Sequence, residues 1–325
     1  MIRVELHNDL DRGVLDQIVG LIEATTQIEG HRPVGEHKYA HLAEGATGWV
    51  GILAFDDDRL VGYAHTRWNA ARSVPRMSVE VVVHPDARGD GEVARMLLWE
   101  ARSVLAHAGG GIFFLWVHRV EDARATLAAT LGFAIQRELA FMSRRLDTPP
   151  AQPNLVPGID LRPYRPDVDD EEFLRVNNAA FQGHPENGGW DAAELQRRRD
   201  RAWFDPAGLL MAWRGDHLAG FHWTKWHAHD SDEVPAHEPV GEVYVLGVDP
   251  SEQSTGLGRM LLRAGLRHLH ERGCRKAILY VDTASTAAVA LYESEGFVVE
   301  YHEVCYYEDV PAVVTHVDSD LSRPE

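Results

Sequence analysis

Two stretches of the sequence are variants of one segment: "VHPDARGDGEVARML" at residues 83–97 and "VDPSEQSTGLGRMLL" at residues 248–262. The offset that overlays them also places Gly91 on Gly256, and a Gly-Phe pair recurs downstream of both. A repeat this long has the size of a domain rather than of a solenoid unit. The sequence therefore predicts a tandem duplication in which each copy folds around its own core.

The boundary between the copies is predicted from composition. The stretch "DTPPAQPNLVPG" at residues 147–158 is rich in proline, which fits neither a helix interior nor a central strand. We therefore predict a first domain at residues 1–146, a linker at 147–158, a second domain at 159–310 and a tail at 311–325.

Both copies show the same alternation of short apolar strands and amphipathic helices. This order predicts a mixed α/β sheet with helices on its faces, that is, an α/β fold in two tandem domains. The predicted helices lie near residues 91–107 and 122–131 in the first copy, and near 168–181, 191–201, 256–272 and 285–295 in the second.

Charge and composition narrow the classes of partner. The formal net charge is −18, which repels nucleic acids and anionic lipids. No apolar stretch is long enough for a membrane span, and the first residues do not resemble a signal peptide. The two cysteines have no metal-binding or redox spacing. We expect a cytoplasmic monomer without a metal, a nucleic-acid partner or a membrane partner.

The second copy of the repeat contains a candidate anion-binding loop. "QSTGLGR" follows a predicted strand and begins a helix, so its glycines and the free amides of the first helical turn suit a pyrophosphate. A Gly-x-Gly pair also occurs at ordinary strand-to-helix turns, and by itself the loop leaves both interpretations open.

The surrounding order of motifs resembles that of the GNAT-type N-acetyltransferases. In that order the glycine loop and its helix are followed by a strand, a helix that contains Tyr292, and then Gly296. Longer runs, such as "RVNNAAFQGHPENGGW" at 175–190 and "GEVYVLGVDP" at 241–250, are similar to the mycothiol synthase family of tandem GNAT proteins. The resemblance implies acetyl transfer from acetyl-CoA to the cysteinyl amine of a cysteinyl-glucosaminyl-inositol.

The resemblance also implies a set of acetyl-CoA contacts. They are Leu246, Gly247 and Val248, then Gln253, Ser254, Thr255, Gly256, Leu257, Gly258 and Arg259, then Ser285, Thr286, Ala287, Ala288, Val289 and Ala290, and in the first copy Val81, Val82 and Val83. Ser254, Thr255 and Ser285 depart from the residues common in the family. Gly247 also fits a β-bulge that would free backbone amides for the acetyl carbonyl.

Glu242 and Tyr292 are the predicted catalytic residues. Glu242 lies on the strand that leads to the loop, with the side-chain parity of Val248, and would take the proton of the amine. Tyr292 would protonate the CoA thiolate. The resemblance implies acceptor contacts from Glu36, Glu186, Lys225 and Tyr280 as well as from Glu242.

The first copy lacks these groups. By the offset of the repeat, Met77 and Ala128 replace Glu242 and Tyr292, and Val93 replaces the second glycine of the loop. We therefore expect the first copy not to catalyse and its loop to disfavour phosphates, while Glu36 lends an acceptor contact.

Other interpretations remain open at this point. The chain could acetylate another amine, such as a drug, a polyamine or a protein N-terminus, or it could bind CoA without catalysis. The histidine-rich stretch at 227–239 is interpreted as a polar loop rather than a metal site, because it lacks ligand spacing. The run "RRRDR" at 197–201 is interpreted as a solvated helix face.

Overall fold

The computed structural model describes residues 1–8, 10–35, 39, 42, 49–69, 74–120, 122–184, 187–227 and 238–313. The chain divides into two compact units. The first contains Met1–Leu139 and the chain from His302 onward, and the second contains Ala140–Tyr301.

The first unit contains the elements of the first repeat. In chain order they are β1 (Ile2–His7), α1 (Arg12–Glu29), β2 (Trp49–Asp56), β3 (Arg59–Asn69), β4 (Arg76–Val83), α2 (Glu92–His107), β5 (Gly111–Val117), α3 (Asp122–Thr130) and the beginning of β6 (Ala134–Arg145). Its sheet has the order β1–β2–β3–β4–β5, followed by the last strand of the chain, and β4 and β5 are parallel.

The second unit repeats this pattern. Its elements are β7 (Asp160–Pro163), α4 (Asp170–Ala180), α5 (Ala192–Arg199), β8 (Leu209–Arg214), β9 (His217–His227), β10 (Val240–Val248), α6 (Leu257–Glu271), β11 (Lys276–Asp282), α7 (Thr286–Ser294) and the beginning of β12 (Val298–Val310). Its sheet has the order β6–β11–β10–β9–β8–β7. The predicted mixed α/β fold is confirmed.

The two units differ from the predicted linear division because each takes a strand from the other half of the chain. Val304–Val310 of β12 pair antiparallel with Gly111–Val117 of β5 in the first unit. The second half of β6 belongs to the second unit, beside β11. Both repeats end in a long strand suited to an antiparallel edge, so the sequence pattern alone does not specify which repeat each strand completes.

The second unit covers its sheet with two different layers. One face packs against α6 and α7 through aliphatic residues that include Leu262, Leu266 and Leu279. The other face packs against α4 and α5 through an aromatic cluster that includes Phe173, Phe221 and Trp223. These layers cover both faces of β9 and β10, the two strands that provide the candidate site.

The described residues contain no helix that is long and apolar enough to cross a membrane.

Two helical glycines are predicted to respond in opposite ways to substitution by alanine. A Cβ at Gly265 in α6 would lie 2.1 Å from Nδ1 of His222, whereas a Cβ at Gly20 in α1 would meet nothing within 4 Å. The His222 ring is buried, and its Nδ1 lies 2.9 Å from the carbonyl oxygen of Leu261, so the ring has little room to move. We expect Gly265→Ala to lower the free energy of unfolding by about 2–3 kcal/mol. Gly20→Ala should raise it by about 0.5–1 kcal/mol.

Urea denaturation followed by circular dichroism measures both effects. Equal midpoints for the two variants would contradict this account of α6 packing.

Candidate functional site

The parallel ladder between β10 and β11 is short. Val240–Glu242 pair with Lys276–Ile278, and the pairing of these two strands ends there. Beyond this point β10 continues as Val243–Val248 beside β9 alone. The edge of β10 that faces β11 therefore has backbone groups available to a ligand, and Glu242 lies where the two strands separate.

A β-bulge in β10 changes which face its side chains occupy. The register against β9 shifts between Val243 and Val245, so Tyr244 is the extra residue. The bulge was expected at Gly247, but Gly247 pairs regularly with Phe221, and that expectation is wrong. Because a bulge inverts the alternation, the predicted shared parity of Glu242 and Val248 is also wrong. Val248 packs in the cluster at the start of α6, whereas Glu242 lies on the face of α4 and α5.

Glu242 lies in a polar cluster on that face. Its Oε2 atom is 2.6 Å from Nε2 of His227 and 4.0 Å from Nζ of Lys225. Lys225 is also its direct cross-strand neighbour on β9. The structure thus brings together the predicted base and one predicted acceptor contact, and it adds His227.

His227 is not among the predicted site residues, because residues 227–239 were interpreted as a polar loop. His227 is instead the last residue of β9. The available signal was period-two alternation, which places Phe221, Trp223, Lys225 and His227 on one face of the strand.

An aromatic pocket holds the buried Lys225. Its Nζ lies 5.2 Å from the ring centroid of Trp203 and 6.0 Å from that of Tyr244. Arg198 lies over the ring of Trp190 at 4.1 Å and hydrogen-bonds the hydroxyl of Tyr244. Cations over aromatic faces are stabilised where water is excluded.

The run at 197–201 is therefore not simply a solvated helix face. Arg198 stabilises the aromatic wall of the site, and Arg199 forms ion pairs with Asp167 and Asp170.

Tyr280 on β11 lies on the same face of the sheet as Glu242. It is two residues beyond Ile278, the β11 neighbour of Glu242, so strand alternation places both side chains on one face. Its side chain is 44% exposed, and its ring lies 5.0 Å from that of Phe141. An exposed ring held by a second aromatic ring is suited to contact a hydroxyl-rich ligand.

The glycine loop of the second unit leaves its helix start open. Gly256 has φ 87° and precedes α6, and no side chain in the described part of the chain caps the first turn. Ser254 also has a positive φ of 62°, so the loop curves sharply. The first turn of α6 contains no acidic residue. These features fit the predicted binding of an anionic pyrophosphate by backbone amides.

The other predicted acetyl-CoA contacts converge on this loop. A Cβ at Gly258 would lie 3.7 Å from Leu291 of α7 and 3.7 Å from Val248 of β10. The loop residues Gln253–Gly256 are exposed, as are Ser285–Ala287 and Ala290 at the start of α7. Leu257 is buried, while Leu246, Ala288 and Val289 are half-buried and pack in the apolar clusters, so their backbones are the parts that can face a ligand.

Arg259, a predicted acetyl-CoA contact, forms an ion pair within the protein. Its guanidinium donates to Glu295 at 2.7 Å, and Arg263 donates to the same carboxylate at 2.9 Å. Although burial opposes it, these hydrogen bonds hold the pKa of Glu295 below its usual range. Arg259 therefore joins α6 to the end of α7, and part of its hydrogen-bonding capacity is already committed.

Tyr292 is almost fully buried in the apolar cluster beneath α6 and α7. Its ring contacts that of Phe297 edge-on at 5.8 Å. Burial raises the pKa of Tyr292 well above its usual value, so its hydroxyl keeps its proton at every physiological pH. Its counterpart in the first unit, Ala128, is buried and has no hydroxyl.

In the first unit, the carboxylate of Asp90 binds a backbone amide of the corresponding loop. Gly91 has φ 85°, like Gly256, but the N–H of Glu92 donates to Oδ1 of Asp90 at 3.1 Å. Val93 does not block the loop: it is buried in the core, where a Cβ at Gly62 would lie 2.7 Å from its Cγ1. A carboxylate, rather than a bulky side chain, thus occupies the anion position.

Val81–Val83 lie beyond the end of the β4–β5 ladder, which ends at Glu80 and Trp116. Val82 and Val83 have buried side chains, so only their backbone groups are available to a ligand.

The residue that corresponds to Glu242 in the first unit is Ser78 rather than Met77. Ser78 lies opposite Arg67 and beside Phe114, as Glu242 lies opposite Lys225 and beside Ile278. The offset of the repeat gives Met77 because β4 lacks the bulge: its register against β3 is unbroken. No carboxylate stands at this position in either alignment.

The first unit nevertheless has a buried carboxylate farther along β4. Glu80 accepts a hydrogen bond from the N–H of Gly35 at 2.8 Å and lies 3.3 Å from Nε2 of His118. Nδ1 of His118 lies 3.0 Å from Glu303. Burial lowers the pKa of His118, but the two carboxylates raise it overall, to about 10. Glu80 is therefore committed to an ion pair with an imidazolium.

Two predicted acceptor contacts, Glu36 and Glu186, lie outside the described residues, as do residues 228–237. Among the described residues, no group of acidic, histidine or cysteine side chains has the arrangement of a metal site.

The sequence is similar to known acetyltransferases. The profile of the acetyltransferase (GNAT) family matches residues 16–133 and 172–297. The chain is 44% identical over 297 residues to a mycothiol acetyltransferase of Thermobispora bispora, which covers 91% of this chain and 96% of that protein. It is 40% identical over 306 residues to a mycothiol acetyltransferase of Acidothermus cellulolyticus, which covers 91% of each.

Solved structures agree on the fold. A GCN5-related N-acetyltransferase from Sphaerobacter thermophilus has a TM-score of 0.71 at 22% identity and covers 96% of this chain and 97% of its own. A tandem GNAT protein from the clavulanic acid biosynthesis pathway has a TM-score of 0.73 at 18% identity and covers 97% and 100%.

Gly258→Ala is predicted to separate folding from ligand binding. The protein has room for the added methyl group, at ordinary contact distance from Leu291 and Val248, so the melting temperature should stay nearly unchanged. A pyrophosphate seated on the first turn would be displaced by the methyl group, and we expect the Kd for acetyl-CoA to rise about tenfold, or about 1.4 kcal/mol. Isothermal titration calorimetry checks this, with Gly20→Ala as a helix-glycine control; unchanged affinity would contradict the assignment.

The His118 ring is predicted to stay protonated at pH 8.5, because its pKa is raised to about 10. In Glu80→Gln the pKa should fall by about one unit or more, because one of the two stabilising charges is removed. Imidazole ¹⁵N shifts across a pH titration measure both values. A neutral ring at pH 8.5 in the unmodified protein would show that the ion pair is not formed.

Proposed function

The chain belongs to the acetyltransferase (GNAT) family and, within it, to the mycothiol acetyltransferases, and on this premise we propose that it transfers acetyl from acetyl-CoA to the cysteinyl amine of 1D-myo-inositol 2-(L-cysteinylamino)-2-deoxy-α-D-glucopyranoside, which gives mycothiol. The observation that carries the proposal is the position of Glu242, where β10 and β11 separate. At this position a carboxylate lies next to the edge of β10 that is no longer paired with β11. The same unit contains the start of α6, whose first turn has no side-chain cap among the described residues and can bind an anion.

Glu242 acts as the general base. An α-amine has a pKa of about 7.7–8.0, so most of the acceptor is protonated near neutral pH and cannot attack. A carboxylate beside the amine removes this proton, directly or through one water molecule. The side chain of Glu242 is 13% exposed, enough for contact with an acceptor that binds on the face of α4 and α5.

The backbone of β10 stabilises the oxyanion. After the strands separate, the segment that ends in Gly247 and Val248 is paired with β9 and not with β11. Amide groups on such an edge are fixed before the reaction and lose no orientational freedom when charge develops on the acetyl oxygen. The start of α6 holds the pyrophosphate of acetyl-CoA in the same unit.

Tyr292 supplies a hydrogen bond to the departing sulfur. A free thiol has a pKa near 8.5 and a phenol near 10, so complete transfer of the phenolic proton to a free thiolate is unfavourable at equilibrium. Burial increases this difference. Tyr292 therefore acts as a hydrogen-bond donor that stabilises the thiolate while the C–S bond breaks. Its hydroxyl passes a proton to the sulfur only as it regains one from the reacting amine nitrogen.

The transfer is direct. The acceptor ammonium gives one proton to Glu242, its nitrogen then forms the new C–N bond while the C–S bond breaks, and the second proton that nitrogen loses replaces the one that the sulfur receives, so CoA leaves as the thiol. Both cysteines, Cys274 and Cys305, are buried, and burial raises the pKa of Cys274 to about 11. Neither thiol has the properties of a nucleophile for an acetyl-enzyme.

Lys225 and Tyr280 contact the acceptor. Both lie on the Glu242 face, one as a buried cation and the other as an exposed ring. A sugar and an inositol ring offer hydroxyl groups that accept hydrogen bonds from an ammonium. The C–H faces of the same rings can pack on an aromatic side chain. Contacts from Glu36 and Glu186, a cytoplasmic location and a monomeric state stay predictions.

The decisive experiment is an acyl-transfer assay with the purified cysteinyl-glucosaminyl-inositol, beside a polyamine, an aminoglycoside and a peptide N-terminus. We expect kcat/KM for the thiol precursor to exceed that for each other amine by at least about 10²-fold. Equal rates would favour a broader amine acetyltransferase. Acetyl-CoA binding without turnover of any amine would favour a binding module.

Glu242→Gln is predicted to lower kcat by about 10²–10⁴-fold, because the amide cannot accept the proton. The Kd for acetyl-CoA should change by less than about twofold, since Glu242 lies on the acceptor face. Tyr292→Phe, which keeps the ring and its packing, should lower kcat while leaving acetyl-CoA binding intact. Steady-state kinetics and calorimetry measure these values, and a Glu242→Gln enzyme with normal turnover would remove the proposed base.

A further inference from the structure

We propose that His227 is a positioning residue for Glu242. In this proposal its Nε2–H donates to Oε2 and so fixes the orientation of the carboxyl group that takes the proton of the acceptor amine. The inference rests on the proposed function, because it assigns His227 a part in the same proton transfer.

The contact has the geometry of a charge-assisted hydrogen bond. Nε2 of His227 lies 2.6 Å from Oε2 of Glu242, and the two side chains are 14% and 13% exposed. An ionised carboxylate only accepts hydrogen bonds, so the imidazole is the donor, whether it is neutral or protonated. A donor held in this way selects one orientation of the carboxyl group.

The strands fix both partners. His227 ends β9, directly across from Val240, and Glu242 lies across from Lys225. The two side chains are thus diagonal neighbours on one face of an antiparallel pair, a distance that long side chains span. Because the positions come from the ladder rather than from a loop, the pair is organised before substrate binds.

Other charged groups act on the same carboxylate from the described elements. Lys225 lies 4.0 Å from Oε2, too far for a hydrogen bond, and contributes its charge. Tyr244 and Arg198 lie beyond Lys225, and Arg198 is itself paired with Glu194 at 2.9 Å. Lys225 acts on the carboxylate through its charge, whereas the hydrogen bond from His227 sets the direction of the carboxylate oxygens.

The test compares two substitutions. His227→Gln retains an N–H at the position of Nε2, while His227→Phe keeps a ring without a donor. We expect His227→Phe to lower kcat about 10²-fold and to move the acidic limb of the kcat profile up by about one pH unit, because an ionised carboxylate that loses a donor gains a higher pKa. His227→Gln should stay within about fivefold of the unmodified enzyme and keep the acidic limb.

Two outcomes would overturn the proposal. One is a His227→Phe enzyme with unchanged kcat and pH profile, and the other is a Gln variant as impaired as the Phe variant. The melting temperature and the Kd for acetyl-CoA of each variant identify a loss of folding or of cofactor binding. The acceptor amine titrates in the same way with every variant. Differences between the pH profiles of the variants therefore report on Glu242.

A measurement without turnover separates this inference from the proposed function. In ¹⁵N-histidine spectra of the full chain, the His227 resonance, assigned by its disappearance in His227→Gln, should titrate about one pH unit lower in Glu242→Gln. If that shift is observed and the unmodified protein transfers no acetyl group, the proposed function fails and the contact stands. If the shift is absent, the positioning proposal fails.

Discussion

The early separation of β10 and β11 is the constraint on which the site depends. The ladder ends at Glu242 and Ile278, and the bulge at Tyr244 follows within two residues. A strand that continued in register would cover the amides needed for an oxyanion and would place Val248 and Glu242 on one face. The break instead separates an acceptor face, with Glu242 and Lys225, from the face on which α6 begins. The predicted base and the helix start that is suited to an anion thus lie on opposite faces of a single sheet.

Much of the fold and the site could be predicted from residues that have strict local requirements. Gly256 must adopt a positive φ before a helix, and the order of elements around it indicated the fold. The bulge could not be predicted, because the extra residue, Tyr244, is an ordinary strand residue and Gly247 is the more conspicuous candidate. The place of His227 in the site could not be predicted from local composition, because the polar residues that follow it made the end of β9 look like part of a loop. The shift from Met77 to Ser78 has the same origin, since counting residues assumes that both strands have equal length.

The two repeats share a fold but differ in the charged residues at corresponding positions. Both keep the left-handed glycine before the helix, and their loops differ in what the amides bind. In the first unit Asp90 satisfies an amide, and Glu92 adds a second acid in the first turn. In the second unit the corresponding turn has no acid. Likewise, Glu80 is neutralised by His118, whereas Glu242 remains beside a site that is partly open. The two loops thus differ in charge while both keep the left-handed glycine, and the strands before them differ in backbone shape, because β4 lacks the bulge of β10.

The exchange of β6 and β12 has a consequence for how such a protein evolves. A cut within residues 147–158 would remove from each half the strand that completes its sheet, and would expose the edge of β5 or β11. An exposed strand edge favours aggregation, so neither half is suited to exist as a separate domain. Each repeat therefore supplies a strand that the sheet of the other repeat uses, and selection on either sheet acts on both halves of the chain.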